Sequence, residues 1–240
     1  MQITKLASVN FNVRPQQSSI DTIILHHTLI SKKQTIKRFY DPHSKVSAHY
    51  MIDKAGYIYS FVADDKRAWH AGISNWRGRD NINDNSIGIE LVNNGKEYFP
   101  HQQMQSLVAL CKFLQLRYEN ISARNIIGHA DIAPGRKDDP SIYINWQKLA
   151  EFGIGLYPNV VKKDAKQILC QRLQNNDKVK KLQINLQKYG YKILLSGVYD
   201  QQTANVVGAF KQHFCKEYSS DNWDSHSQMR LQYLLDIINK

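Results

Sequence analysis

Apolar and polar positions fall into short blocks along the first 150 residues. Thr22–Leu25 is a β-branched, apolar run that stops at the polar His26-His27-Thr28, predicting a buried strand that ends in polar side chains. Ser31 is placed to cap a short helix through Lys37–Tyr40, which Asp41-Pro42 would stop. Ala48–Ile52 and Tyr57–Val62 flank Asp53-Lys54-Ala55-Gly56 and predict strand, turn and strand. Asn75–Asn85 is polar and charged and predicts a loop; Ser86–Val92 predicts another strand. Pro100 opens the clearest helix, with Met104, Leu107, Val108, Cys111, Leu114 and Leu116 near a 3.6-residue stripe. Ile126-Ile127 reads as the last short strand before a loop rich in glycine, proline and charge.

Beyond Trp146 the texture changes. Gly153, Gly155 and Pro158 break the pattern and Lys162-Lys163-Asp164 follows, so a linker is expected there. Helices follow it: about Val179–Tyr189 ending at Gly190, a second from the N-cap Asp200 with Ala204, Val207, Phe210 and Phe214 at helical spacing, and a third over Gln228–Ile238. The expected division is a domain over 1–155, a linker over 156–165 and a helical domain over 166–240.

Composition narrows the class. Hydrophobic residues make up 42% of 240, enough to bury a sizeable core. No apolar run of about 18 residues predicts a spanning helix, and Met1–Pro15 lacks the apolar stretch of a secretory signal. Cys111, Cys170 and Cys215 are odd in number and widely spaced, so neither a disulfide framework nor a cysteine metal cluster is expected. Any metal site must use His, Asp or Glu. The net charge is +11, of which +6 falls on the 81 residues after Asn159. That balance favours a polyanionic partner: nucleic acid, an acidic membrane or an acidic wall polymer.

Two places carry candidate metal chemistry. His26 and His27 are adjacent on a strand, so at most one of them faces a common site. His129 is followed by Asp131, Asp138 and Asp139 in the loop up to Pro140. Ligands from strand ends and a loop suit a catalytic zinc, which keeps an open position for water. There is no H-E-x-x-H motif, so the helical zinc-protease arrangement is not expected.

Five blocks occur in order over about residues 20–146: Leu25-His26-His27-Thr28, Ser47-Ala48-His49-Tyr50, Trp69-His70-Ala71-Gly72, Ser86-Ile87-Gly88-Ile89-Glu90-Leu91 and the run from Gly128-His129-Ala130-Asp131 to Lys137-Asp138-Asp139-Pro140. Together they resemble the type-2 zinc N-acetylmuramoyl-L-alanine amidases, whose fold is shared with peptidoglycan recognition proteins. The resemblance implies an α/β fold with a mixed central sheet flanked by helices. It implies Zn2+ held by His26, His129 and Asp139, Glu90 as the catalytic carboxylate and Lys137 as the cation beside the metal. Trp69, His70 and Arg79 are candidate groove residues, Arg79 by pairing with a stem-peptide carboxylate. His49 is expected to pack beneath the site, and Asp131 and Asp138 to cap local backbone.

Leu182-Gln183, Leu186, Gly190-Tyr191, Gly197-Val198-Tyr199-Asp200, Thr203, Val207 and Phe210 are similar to a three-helix peptidoglycan-binding domain. The resemblance implies a wall-binding module that can be deleted without harm to the catalytic fold. The expected function is hydrolysis of the bond between N-acetylmuramic acid and L-alanine in peptidoglycan or muropeptides. The alternative is a non-enzymatic peptidoglycan receptor. Nucleic acid is not an expected partner, because no zinc-finger spacing, RNA-recognition motif or long basic helix accompanies the charge. A wall-binding module favours the periplasm; the lack of an export signal favours the cytoplasm as the alternative. The sequence does not specify an oligomeric state.

Overall fold

The computed structural model describes residues 1–160, 167–217 and 220–239. A six-stranded mixed sheet organises the first part. Its strands are β1 (Ile3–Lys5), β2 (Thr22–His27), β3 (Tyr50–Ile52), β4 (Ile58–Ser60), β5 (Ser86–Leu91) and β6 (Ile126–Gly128), in the spatial order β1-β4-β3-β5-β2-β6. Only β3 and β4 run antiparallel, as the tight connection through Asp53–Gly56 requires; the other neighbours are parallel. The helices are α1 (Lys32–Tyr40), α2 (His101–Arg117), the single turn α3 (His129–Ile132), α4 (Trp146–Glu151), α5 (Asp177–Tyr189), α6 (Gln201–Phe214) and α7 (Ser225–Ile238).

Local signals set several boundaries. Ser31 and Gln34 form a reciprocal capping box at the start of α1, satisfying two backbone donors. Asp200 accepts from the Thr203 amide at the start of α6, and Asn176 from the Val179 amide at the start of α5. Helix α2 starts after Pro100, but its buried face is Gln103, Leu107, Leu110, Cys111 and Leu114. Leu116 is 84% exposed, contrary to the expected stripe. At about 100° per residue, position 116 stands about 180° round the helix from 107 and about 160° from 114, on the face away from the buried line.

The central strands β2 and β5 are buried on both faces, and side-chain alternation sorts them cleanly. Ile23, Leu25, Ile87, Ile89, Leu91 and Ile126 point to one core with Leu107, Leu110 and Leu114 of α2. Ile24 and Ile127 point the other way, into a cluster that contains Leu182, Leu186, Tyr191, Val207, Phe210 and Phe214 of the helical segment. Helices α5–α7 therefore share a core with the sheet.

That finding revises the expectation of a detachable module. The Asn75–Asn85 stretch, expected as a plain loop, forms a small hairpin (Asn75–Trp76 with Arg79–Asp80) that delivers a fully buried Trp76 to this junction. Its ring packs edge-on to Tyr189 and Tyr191, with centroids at 5.8 and 5.2 Å. Gly190 lies flat against it, since a Cβ there would stand 2.9 Å from the indole. The Arg77 amide donates to the Gly190 carbonyl at 2.8 Å. Of the expected linker, residues 161–166, including Lys162-Lys163-Asp164, lie outside the described residues. Among the described residues, no helix is long and apolar enough to cross a membrane.

Candidate metal centre and catalytic pocket

His26 stands near the C-terminal end of β2, on the same face as Ile24, and is paired across the parallel ladder with Glu90 of β5. Parallel in-register partners point the same way, so the sheet itself sets a carboxylate beside the histidine. His129 opens α3 directly after β6, the strand on the other side of β2. The following loop returns Asp139 to the same point, where the Ala130 amide donates to the Asp139 carbonyl at 2.9 Å. The result is a tight trio. His26 Nδ1 lies 2.8 Å from Asp139 Oδ2 and 3.0 Å from His129 Nδ1, and His129 Nδ1 lies 3.1 Å from Asp139 Oδ2. All three residues are buried, at 1, 3 and 6% exposure.

The outer hydrogen bonds determine which atoms face inward. His129 Nε2 sits 3.0 Å from the Ala71 carbonyl, which only accepts, so the proton is on Nε2 and Nδ1 is bare. A longer chain settles His26. Ser86 Oγ donates to the Ile82 carbonyl at 2.6 Å and accepts from His70 Nε2 at 3.2 Å; His70 Nδ1 is then bare and accepts from His26 Nε2 at 3.0 Å. His26 Nδ1 is therefore also bare. Two lone pairs and a carboxylate oxygen converge with no proton between them, an arrangement that a cation would relieve. Two imidazoles and a carboxylate converging in this way are a donor set suited to zinc. The residues fit a metal site.

Electrostatics agree. Burial, and then the neighbouring His129, lower His26 to about 4, so its neutral, ligating form prevails. Glu90 goes the other way: burial, and then the charge of Asp139, raise it to about 8, while Lys137 and Arg38 pull against that. Glu90 Oε2 is shielded from solvent and has no partner among the described residues. A half-buried carboxylate with one oxygen sealed from solvent and unpaired, beside three converging side-chain atoms, suits a proton-transfer group better than a structural one.

Glu90, His129 and Asp139 floor a cavity of about 340 Å3 that is also lined by Trp69, His70, Arg38, Lys45, Arg136 and Lys137. Lys137 is exposed on its rim. Trp69 lies at the same rim with its indole N–H donated to Asn12 Oδ1 at 2.9 Å. His70 is a wall residue behind His26, with both ring nitrogens engaged. Gly88 makes room for it: a Cβ there would lie 2.4 Å from the His70 ring. The structure does not bring Arg79 to the site. Its guanidinium grips Asp21 at 2.6 and 3.1 Å, just before the first residue of β2, and the strand carries His26 about 16 Å away toward its far end. His49 packs underneath, accepting from the Gly88 amide and facing the Lys66 carbonyl, each at 3.0 Å.

Sequence reasoning missed two supports of the site. Arg14, buried at 8% exposure, donates to the carbonyls of Asp64, Asn83, Asp84 and Ser86 beneath the His70 wall. Asn83 Oδ1 accepts from the His70 and Ala71 amides at 3.1 and 2.8 Å. Neither carried a sequence signal, because an isolated Arg or Asn reads as surface until its backbone partners are known.

The family model for N-acetylmuramoyl-L-alanine amidases matches residues 16–142, and that for a putative peptidoglycan binding domain matches residues 175–216. The N-acetylmuramoyl-L-alanine amidase AmiD of Escherichia coli (strain K12) is 33% identical over 238 residues, covering 90% of this chain and 83% of that protein. The 1,6-anhydro-N-acetylmuramyl-L-alanine amidase AmpD of Haemophilus influenzae is 33% identical over 60% of this chain, which takes up 88% of its own length. The solved complex of E. coli AmiD with anhydro-N-acetylmuramic acid-L-Ala-D-gamma-Glu-L-Lys superposes with a TM-score of 0.77 at 30% identity, covering 93% of this chain and 92% of that one.

Proposed function

This chain belongs to the N-acetylmuramoyl-L-alanine amidase family, and from that premise we propose that zinc held by His26, His129 and Asp139 serves its hydrolysis of the amide joining N-acetylmuramic acid to L-alanine. The reading rests on one observation above the rest: three proton-free ligand atoms, two of them fixed by outer hydrogen bonds, meet beside a half-buried carboxylate. When bound, the metal supplies Lewis acidity, polarising the scissile carbonyl and acidifying water at the site. Glu90, which burial holds protonated near neutrality, would ionise more readily beside a bound cation.

Glu90 then removes a proton from the attacking water and returns it to the departing alanine nitrogen. Lys137 sits at the cavity rim, where its charge reaches His26 and Glu90, and would steady the oxyanion as the carbonyl becomes tetrahedral. Arg38 and Lys45 line the same cavity, add positive charge and suit the carboxylates of a stem peptide. The substrates in view are peptidoglycan and its anhydro-muropeptide fragments, as the names of the relatives suggest. A receptor without catalysis would have no use for a complete ligand set with Glu90 beside it.

Residues 175–216 support binding to wall polymer, and with it a periplasmic site of action rather than a cytoplasmic one. Metal analysis together with digestion of an anhydro-muramyl tripeptide, followed by mass spectrometry, tests the core of the proposal. About one zinc per chain and release of free tripeptide are expected. Full activity after exhaustive chelation would refute the metal's role. Immunoblotting of cell fractions tests the location, and a purely cytoplasmic signal would overturn that part.

A further inference from the structure

The second domain touches more than the sheet: it grips the loop that carries two of the three metal ligands. Asp131, two residues after His129, is 2% exposed and sits within α3. One of its oxygens accepts from Tyr191 Oη at 2.6 Å, the other from His213 Nδ1 at 2.7 Å and from the Gly128 amide at 2.9 Å. Two of those three donors come from the helical segment. The His213 ring is held in turn by stacking on Trp146, with centroids 3.9 Å apart. Further along the loop, Gly135 turns with φ +76° directly beneath Asn205 of α6, so closely that a Cβ would come within 2.2 Å of the Asn205 amide. Gln212 Nε2 donates to the Asp138 carbonyl at 2.5 Å, one residue before the third ligand. Helix α6 thus contacts the loop at its start, at its apex and at its end.

We infer that Tyr191 and His213 of the helical domain are positioning residues for the metal centre, and that α6 acts as a splint fixing the distance between His129 and Asp139. Removing their hydrogen bonds leaves a buried carboxylate with only one backbone donor, and α3 must then turn or open to rehydrate it. His129 is the first residue of that single turn, so any such movement takes a ligand atom out of the trio. The coupling rests on the metal reading given above. It makes metal affinity a property of both domains, so a segment similar to a wall-binding module also serves the reaction centre.

The test uses the full-length chain and zinc alone, with affinity measured by chelator competition, alongside melting temperature, kcat and KM. Tyr191→Phe removes one hydroxyl, and His213→Phe keeps the stacking ring but loses the donor. Each should weaken zinc about 3–10-fold, less than the roughly 10–100-fold usual for a direct partner of a ligand because the effect passes through Asp131, with kcat restored by excess zinc and KM unchanged. Tyr199→Phe is the control. It removes a comparable hydroxyl bond, to the Asp221 carbonyl, inside the same helical domain. It should lower the melting temperature and leave zinc affinity alone. If a Phe variant does not fold, Gln212→Ala trims the partly exposed far contact and should still weaken zinc a few-fold. Zinc affinity equal to the parent in all three loop-facing variants, or falling in Tyr199→Phe as much as in the others, would overturn the splint while sparing the metal site. A parent protein that binds no zinc would bring down the metal reading and the splint with it.

Discussion

The two faces of the central sheet are closed by different means. On one face Ile23, Leu25, Ile87, Ile89 and Leu91 meet α2, a helix that follows β5 in the chain and buries Leu107, Leu110 and Leu114 against them. On the other face Ile24 and Ile127 meet residues from beyond position 180, and the same face carries His26 and Glu90 toward its C-terminal end. The first face is a local apolar contact with no chemical duty. The second combines a distant apolar cover with a polar site, and the cover reaches the site through Asp131. Chemistry has been placed on the face whose closure depends on the far end of the chain.

Breaking the distant cover should have the largest consequence. Ending the chain at Asn159 bares Ile24, Trp76, Ile127 and Ile132 together, and the product should be insoluble or unfolded. A soluble, active fragment recovered by gel filtration would show that the second face stands alone. Next comes Asp139→Ala, which should abolish both zinc and turnover by removing a ligand that also sets the charge of the trio. Glu90→Gln should retain zinc and lose about 10²–10⁴-fold in kcat; near-normal turnover would reduce Glu90 to a strand residue. Smaller again, Leu110→Ala on the first face should cost about 2–5 kcal/mol in urea unfolding and leave zinc affinity unchanged. Phe210→Ala on the second should cost about 3–5 kcal/mol and weaken zinc as well. Equal zinc affinities in those two would erase the distinction between the faces.

The smallest effect is a pH slope. In the metal-free protein, Glu90 titrates near 8 when folded against an ordinary 4.5, so the folded state holds its proton more tightly. The stability this adds is complete below about 4.5 and is lost as pH rises through 8. Melting temperatures of parent and Glu90→Gln, both chelated, should therefore diverge between pH 5 and 9, the parent losing relative stability as pH rises. Parallel profiles would contradict the half-buried, unpaired state of this carboxyl.

The sequence was most legible where the cause was local. Ser31 and Asp200 announced helix starts because a cap acts within three residues. The strand ending at His26-His27 and the His129–Asp139 loop were visible from apolar runs and residue types. Which histidine faced the site was not, since that depends on the register between β2 and β5; the family resemblance supplied it. Arg79 misled because a lone arginine carries no sign of its partner, here Asp21. The shared core was hidden for a similar reason. Trp76 lies in a polar stretch, and the glycine that receives it, Gly190, is more than a hundred residues away. The composition break at 153–164 coincides with the passage from the sheet to helices that pack on it.

A sheet covered on one side by the end of the chain has a timetable built into it. During synthesis β2, β5, β6 and α2 are complete well before α5–α7 exist. At roughly 5–20 residues per second, the last 81 residues take about 4–16 s to emerge. For that interval Ile24, Trp76 and Ile127 have no partner and the His129 loop has no support. Nascent chains should therefore be most vulnerable to aggregation and to holdase chaperones after residue 160 has left the ribosome and before α6 docks. Slowing translation late in the message should depress the yield of soluble protein more than slowing it early.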